Sequence, residues 1–171
     1  MMIKPDHLQQ RWSMPDKPKP IIFIGGGGIV NNVHIPAYRQ GNLELSGIFD
    51  LNRKTAEATA DLWSIPRVFD SLQEAADVEG VVFDVAIPPE PISEPLLVLP
   101  EGATVLIQKP MGVDLAGATR ILQVCRGKNM TAAINFQLRF CPAMLALRDL
   151  SGRNALGRLI ECEVSLNVAM P

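Results

Sequence analysis

Four consecutive glycines, Gly25 to Gly28, follow the apolar run Ile21–Ile24 and lead into a helical pattern. Gly25, Gly27 and Val30 occupy the three positions of a G-x-G-x-x-G fingerprint. There the first glycine permits a tight turn and the second lets backbone approach a pyrophosphate. A helix beginning at such a loop aims its free N–H groups and the positive end of its dipole at the anion. Asp50 closes the next apolar run, 25 residues after Gly25. A carboxylate there can accept both ribose hydroxyls of NAD and repel the 2′-phosphate of NADP, although Arg53 nearby could still admit NADP. Two plainer alternatives stay open: the glycines are only a turn, and Asp50 only caps the helix of LNRKTAEATA. Val30, in place of the third glycine, predicts a helix held slightly away from the sheet.

Three other stretches carry chemistry. In VLIQKPMG, Lys109 follows a strand directly and sits where open α/β sheets bind ligands. Its ammonium could hydrogen-bond a substrate hydroxyl and stabilise developing negative charge, or could be an ordinary surface lysine beside the turn proline Pro110. In FDVAIPPE, Pro88 and Pro89 reach another carboxyl edge and could wall a nicotinamide. In NFQLRFCP, the polar Asn135, Gln137 and Arg139 recur at period two after a strand, placed to meet a cofactor amide or a substrate. Metal chemistry has no support, because His7 and His34 are the only histidines and no Cys-x-x-Cys occurs.

Elements that could hold these groups alternate regularly. Apolar runs at 21–25, 43–50, 67–70, 81–88, 103–108 and 131–137 are nearly continuous, the mark of strands covered on both faces and hence of a parallel sheet. Helical segments fall at 29–40, 52–63, 71–77, 114–127 and 142–150, with Asp114 as an N-cap and Gly127 as a stop. The segment 89–100 is broken by Pro91, Pro95 and Pro100. This β-α alternation predicts an α/β, doubly wound parallel sheet of the dinucleotide-binding kind. The stretch RLIECEVSLNVAM differs, because apolar and polar residues alternate strictly from Ile160 to Val168. It is expected to be the first strand of a second, antiparallel α+β domain, with an edge strand of the same sheet as the alternative. The expected organisation is an extended arm over 1–19, a Rossmann domain over 20–152 and the start of an incomplete second domain over 153–171.

Composition sets outer bounds. The chain has 171 residues, 47% hydrophobic and 20% charged, with a net charge of −2, which gives no general pull toward nucleic acid or anionic membrane. No apolar run approaches the roughly 20 residues of a membrane span, and residues 1–20 lack the apolar core of a secretory signal. Three cysteines without paired spacing are expected to be reduced thiols of a cytoplasmic protein.

Taken in order, GGGGIVNNVHIPAYR, GIFDLNRKTAEATA, VLIQKPMGVDLAGATRIL, INFQLRFCPA and ALGRLIE resemble the Gfo/Idh/MocA family of glucose–fructose oxidoreductase, inositol dehydrogenase and related NAD(P)-dependent enzymes. The resemblance runs from Pro20 to about Val168. It implies an N-terminal Rossmann domain and a largely antiparallel C-terminal domain that supplies much of the substrate pocket and mediates oligomers. It implies NAD, with NADP possible, as cofactor and a polyol or sugar as substrate, in a homo-oligomer.

By the same resemblance Gly25, Gly27, Gly28 and Ile29 line the pyrophosphate, and Asp50 with Arg53 meets the adenosine ribose. Pro88, Gln108, Pro110, Asn135 and Arg139 join the cofactor site, and Lys109 touches nicotinamide and substrate. His34 matches a histidine of the first helix with a structural role. Two departures follow. Gln108 replaces the family's glutamate and removes its ion pair with the lysine, and the sequence stops before the aspartate and histidine that include the proton acceptor. The expectation is therefore a polypeptide that binds the cofactor and turns over poorly by itself. The alternative is a non-catalytic dinucleotide-binding sensor or regulatory module. A third option, a Rossmann-like domain for another adenosine ligand such as a methyl donor, is disfavoured by Gly25, Gly27 and Asp50 together.

Overall fold

A computed structural model describes residues 7–165 and 167. The chain divides into two compact units, one of residues 14–136 and one joining 1–13 with 137–171. These limits do not coincide with the expected ones at 19/20 and 152/153.

The larger unit is built on a parallel sheet of five strands: β1 (Ile21–Ile24), β2 (Leu45–Phe49), β3 (Val82–Val85), β4 (Thr104–Ile107) and β5 (Thr131–Ile134), in the order β2-β1-β3-β4-β5. Successive side chains of a strand point to opposite faces, so each apolar run feeds two cores. Ile22, Ile24, Phe83, Val85, Val105 and Ile107 pack on one face. The helices there are α3 (Leu72–Ala76), α4 (Ser93–Val98) and α5 (Leu115–Gly127). Ile21, Phe23 and Ile48 pack on the other face with Val30, Ile35, Ala56 and Ala60. The last three of these come from α1 (Ile35–Gln40) and α2 (Arg53–Trp63). Near-continuous apolar runs are thus explained by two-sided burial, except in β5, where Thr131, Ala132 and Ala133 lie exposed at the sheet edge.

Helix starts follow from local hydrogen bonding. Asn52, Ser71 and Asp114 each turn a side-chain oxygen to an orphan N–H in the first turn, at Lys54, Glu74 and Gly117 respectively. Asp114→Ala should cost about 1 kcal/mol of stability, read as a lower urea midpoint at unchanged slope; an unmoved midpoint would contradict the cap.

The expected strand at 67–70 is reduced to a single bridge, Ile48 with Val68, held by Ile48 N to Arg67 O and Phe69 N to Ile48 O, both 2.9 Å. It begins beside Pro66, and Phe69 turns inward over Gly47, where even a Cβ would come within 2.3 Å of the ring. The bridge still places this segment outside β2, so the fold keeps the six-position order of a dinucleotide-binding sheet with its outermost member vestigial.

The smaller unit contains a 3-10 turn, Gln137–Phe140, and α6 (Pro142–Gly152). Residues of the arm bind to it: Gln9 N donates to Asp149 at 3.0 Å, and the Trp12 ring meets Phe140 edge-on at 5.9 Å. Gln9 is the main reason the Asp149 carboxyl sits below its ordinary range, with Arg153 adding to it. The expected strand of 158–168 does not form over 158–165, and Leu159, Ile160 and Val164 are exposed there; 166 and 168 lie outside the described residues. A strand draws its stability from a hydrogen-bonded neighbour, and no described strand pairs with this one. No helix among the described residues is long and apolar enough to cross a membrane.

Candidate dinucleotide-binding site

The site begins where β1 ends. Gly25 takes φ of +106°, and a Cβ there would stand 2.5 Å from the Ala86 carbonyl oxygen. That crowding permits only glycine, and it follows from β1 and β3 leaving the sheet side by side. Gly25 N donates to Phe49 O and Gly26 N to Asp50 Oδ2, both at 2.8 Å. The chain then opens outward. Gly27, Gly28 and Ile29 are exposed, and among the described residues nothing accepts from their N–H groups. A Cβ on Gly27 would meet nothing within 4 Å. Three unpartnered donors at the start of a helix, above an unobstructed glycine, fit a phosphate-sized anion.

The helix itself has a widened turn, Val30–His34, in which Ile35 N bonds to Val30 O, five residues back. Pro36 follows, which lacks an N–H and would crowd an ordinary turn. Val30 is fully buried against β1 and β2 residues, so it serves as packing between helix and sheet. Asn31 latches the loop: its Nδ2 donates to Gly26 O (2.8 Å) and Thr59 Oγ1 (3.1 Å), while its Oδ1 accepts from Trp63 Nε1 (2.9 Å). Sequence reasoning missed Asn31, Thr59 and Trp63, because the contact joins side chains about 30 residues apart with no spacing rule to mark it.

Beside the glycines lies a cavity of about 450 Å³ lined by Gly25, Asp50, Leu51, Leu72, Ile87 and Pro88, among others. It is mainly apolar, with the carboxylates of Asp50 and Glu94 among its lining, and suits an adenosine. Asp50 is no helix cap, since Asn52 holds that position. Its two oxygens take the N–H of Gly26 and of Asn52, both at 2.8 Å, which fixes the carboxylate beside the loop with lone pairs to spare. Arg53 is drawn away by Glu57 at 2.7 Å and by Asp70.

At the other end of the sheet edge, Gln108 N donates to Val85 O, and its buried side chain accepts from Lys109 N at 3.0 Å. Gln108 therefore shapes the main chain under Lys109. The Lys109–Pro110 bond is cis, and Lys109 is exposed, its ammonium unpaired among the described residues. Asn135 N bonds to Ile107 O at 2.8 Å, so its backbone stands beside the end of β4, next to Gln108 in sequence register. The expected period-two row of Asn135, Gln137 and Arg139 does not survive. β4 ends at Ile107 and β5 at Ile134, after which the chain turns into the 3-10 segment. Arg139 falls in the smaller unit and is exposed.

The family model for oxidoreductases of the Gfo/Idh/MocA type, with an NAD-binding Rossmann fold, matches residues 19–136. The chain belongs to the Gfo/Idh/MocA family. A trans-1,2-dihydrobenzene-1,2-diol dehydrogenase of Mus musculus is 34% identical over 112 residues, 64% of this chain and 33% of that protein. A glucose-6-phosphate 3-dehydrogenase of Bacillus subtilis is 28% identical over 148 residues, 85% of this chain and 41% of that one. An NAD-binding oxidoreductase of Klebsiella pneumoniae superposes with a TM-score of 0.72 at 21% identity, covering 82% of this chain and 40% of that one, a likeness of fold. The chain thus spans well under half the length of these relatives. Its match to the Gfo/Idh/MocA model ends at Phe136, the last residue of the sheet-bearing unit.

Proposed function

We propose that this unit is the NAD-binding half of an oxidoreductase acting on a hydroxyl-bearing carbon of a polyol, sugar or derivative. The observation that carries the reading is the set of free Gly27, Gly28 and Ile29 N–H groups beside the anchored Asp50 carboxylate. Those N–H groups would hold the pyrophosphate, and Asp50 would accept the adenosine ribose hydroxyls, with Pro88 against the cofactor. Preference for NAD over NADP is supported by the charge of Asp50 and by the engagement of Arg53 with Glu57 and Asp70, which compete with a 2′-phosphate for its guanidinium. Bound nicotinamide would supply the hydride donor or acceptor. Lys109 would donate to the substrate oxygen and stabilise negative charge growing there, while Gln108 and Pro110 set its main chain. Arg139 is retained as a cofactor contact from the resemblance alone.

The substrate class rests on the diol and sugar dehydrogenases among the relatives. We further propose that residues from 153 onward begin a second domain that supplies the proton acceptor and pairs subunits. The exposed residues from Ile160 onward, which alternate apolar and polar without forming a strand over the described residues, support this as a segment that a neighbouring strand would order. The test is dehydrogenase turnover with a panel of polyols and sugars, by whole protein and by this chain. Lys109→Met should lower kcat by roughly 100-fold or more with cofactor affinity little changed. Equal turnover by the variant would remove Lys109 from the chemistry, and brisk turnover by the 171-residue chain would defeat the assignment of the proton acceptor to a second domain.

A further inference from the structure

One buried polar chain is used by neither the fold nor the site so far. His34, 3% exposed, stands on the helix leaving the glycine loop, and Asp84, 1% exposed, is set in the middle of β3. His34 Nδ1 lies 2.7 Å from Asp84 Oδ2, which also accepts from the Tyr38 hydroxyl at 2.7 Å. On the other side of the ring, His34 Nε2 lies 3.2 Å from Asn135 Nδ2. Burial, reinforced by the charge and hydrogen bond of Asp84, raises the Tyr38 pKa well above its ordinary value, so its hydroxyl stays a donor. Asp84 Oδ1 is buried without a partner among the described residues. An apolar residue would suit this central strand better, since an unpaired buried oxygen is costly.

The hydrogen bonds have one consistent direction. Tyr38 O–H and His34 Nδ1–H both donate to Asp84. With Asn135 Nδ2 facing it, His34 Nε2 is the acceptor and the Asn135 amide N–H donates to it. That choice fixes the planar carboxamide with nitrogen inward and oxygen on its other arm. Nothing described donates to Asn135 Oδ1. Asn135 shares the carboxyl edge with Gln108 and Lys109, on the far side of β1 and β3 from Asp50. A dinucleotide anchored at Asp50 and at Gly27–Ile29 crosses the sheet there and ends on the Asn135 side.

We infer that Asp84 and His34 are positioning residues that hold Asn135 with its amide oxygen outward, as the acceptor for the carboxamide N–H of nicotinamide. The inference rests on the proposed cofactor site. It makes the nicotinamide end selective for a donor, and it gives the buried carboxyl a purpose that packing does not.

The test is calorimetric titration of the 171-residue chain with NAD⁺ and with ADP-ribose, which keeps adenosine, pyrophosphate and both riboses but lacks the nicotinamide. Asp84→Asn, His34→Gln and Asn135→Ala should each weaken NAD⁺ binding by roughly 3- to 10-fold and leave ADP-ribose binding unchanged. Pairing either relay variant with Asn135→Ala should weaken NAD⁺ no further than Asn135→Ala alone, because each removes the same oriented group. Two independent relay variants keep the cycle complete if one of them does not fold, and Asn135→Ala alters only a half-buried side chain at a strand end. Equal loss for both ligands would show a structural role and overturn the inference, as would full additivity or an unchanged NAD⁺ to ADP-ribose ratio. Asp50→Ala separates the two claims. If it weakens ADP-ribose while the relay variants leave the ratio intact, the site stands and the positioning role falls; if it leaves ADP-ribose unaffected, the site itself is misplaced.

Discussion

Gly25→Ala should lower stability by about 2–4 kcal/mol, a fall of roughly 5–15 °C in thermal midpoint for a chain of this size. Two costs combine. The residue sits at φ +106°, where an L side chain is strained, and its Cβ would come within 2.5 Å of Ala86 O and 3.0 Å of Ile87 Cγ2. Neither wall can retreat cheaply. Gly25 N is bonded to Phe49 O, and Ala86 N to Ile24 O at 2.9 Å, so relief on one side breaks a ladder on the other. Gly27→Ala is the informative companion, because its Cβ would enter open space and leave the fold intact while obstructing the anion. Circular dichroism should therefore report a large loss for Gly25→Ala and almost none for Gly27→Ala. NAD⁺ affinity should fall in both. A Gly25→Ala midpoint within about 2 °C of the parent would mean that the loop is not held as described.

Asp50→Ala is expected to weaken NAD⁺ by roughly 10- to 100-fold, the worth of one or two charge-assisted hydrogen bonds, and to weaken NADP⁺ much less. The sign follows from charge. The carboxylate attracts ribose hydroxyls and repels a 2′-phosphate, so its removal costs one ligand a partner and relieves the other of a repulsion. Part of the loss is indirect, since Gly26 N and Asn52 N both lose their acceptor. Asp50→Asn tests this, because it keeps one acceptor oxygen, enough for one of those two N–H groups, and removes the charge. It should retain more NAD⁺ affinity than Asp50→Ala and still narrow the preference over NADP⁺. A titration in which both cofactors weaken equally would assign Asp50 to loop support alone.

Much of this arrangement was legible in the sequence because its causes are local. Gly25 to Gly28 follow a strand and precede a helix, the Asp114 cap lies three residues from its acceptor's donor, and two-sided burial writes itself as unbroken apolar runs. Where cause and effect are far apart in sequence, legibility failed. The strand expected at 67–70 is four residues long, and whether it extends past one bridge depends on how Phe69 meets Gly47. The period-two row after β5 was lost because β4 stops at Ile107, which nothing in residues 135–139 announces. The Asp84–His34–Asn135 chain joins positions 50 and 101 residues apart, and each member alone reads as ordinary. His34 lies on the first helix, as expected, and Asn135 one residue past the end of β5; their contact required the fold.

The most direct test of the central claim is a calorimetric titration of the folded 171-residue chain with NAD⁺, with ADP-ribose as competitor. Saturable, one-to-one, micromolar binding that ADP-ribose displaces is the predicted result. A chain that unfolds cooperatively yet gives no binding to NAD⁺, NADH, NADP⁺ or NADPH would contradict it.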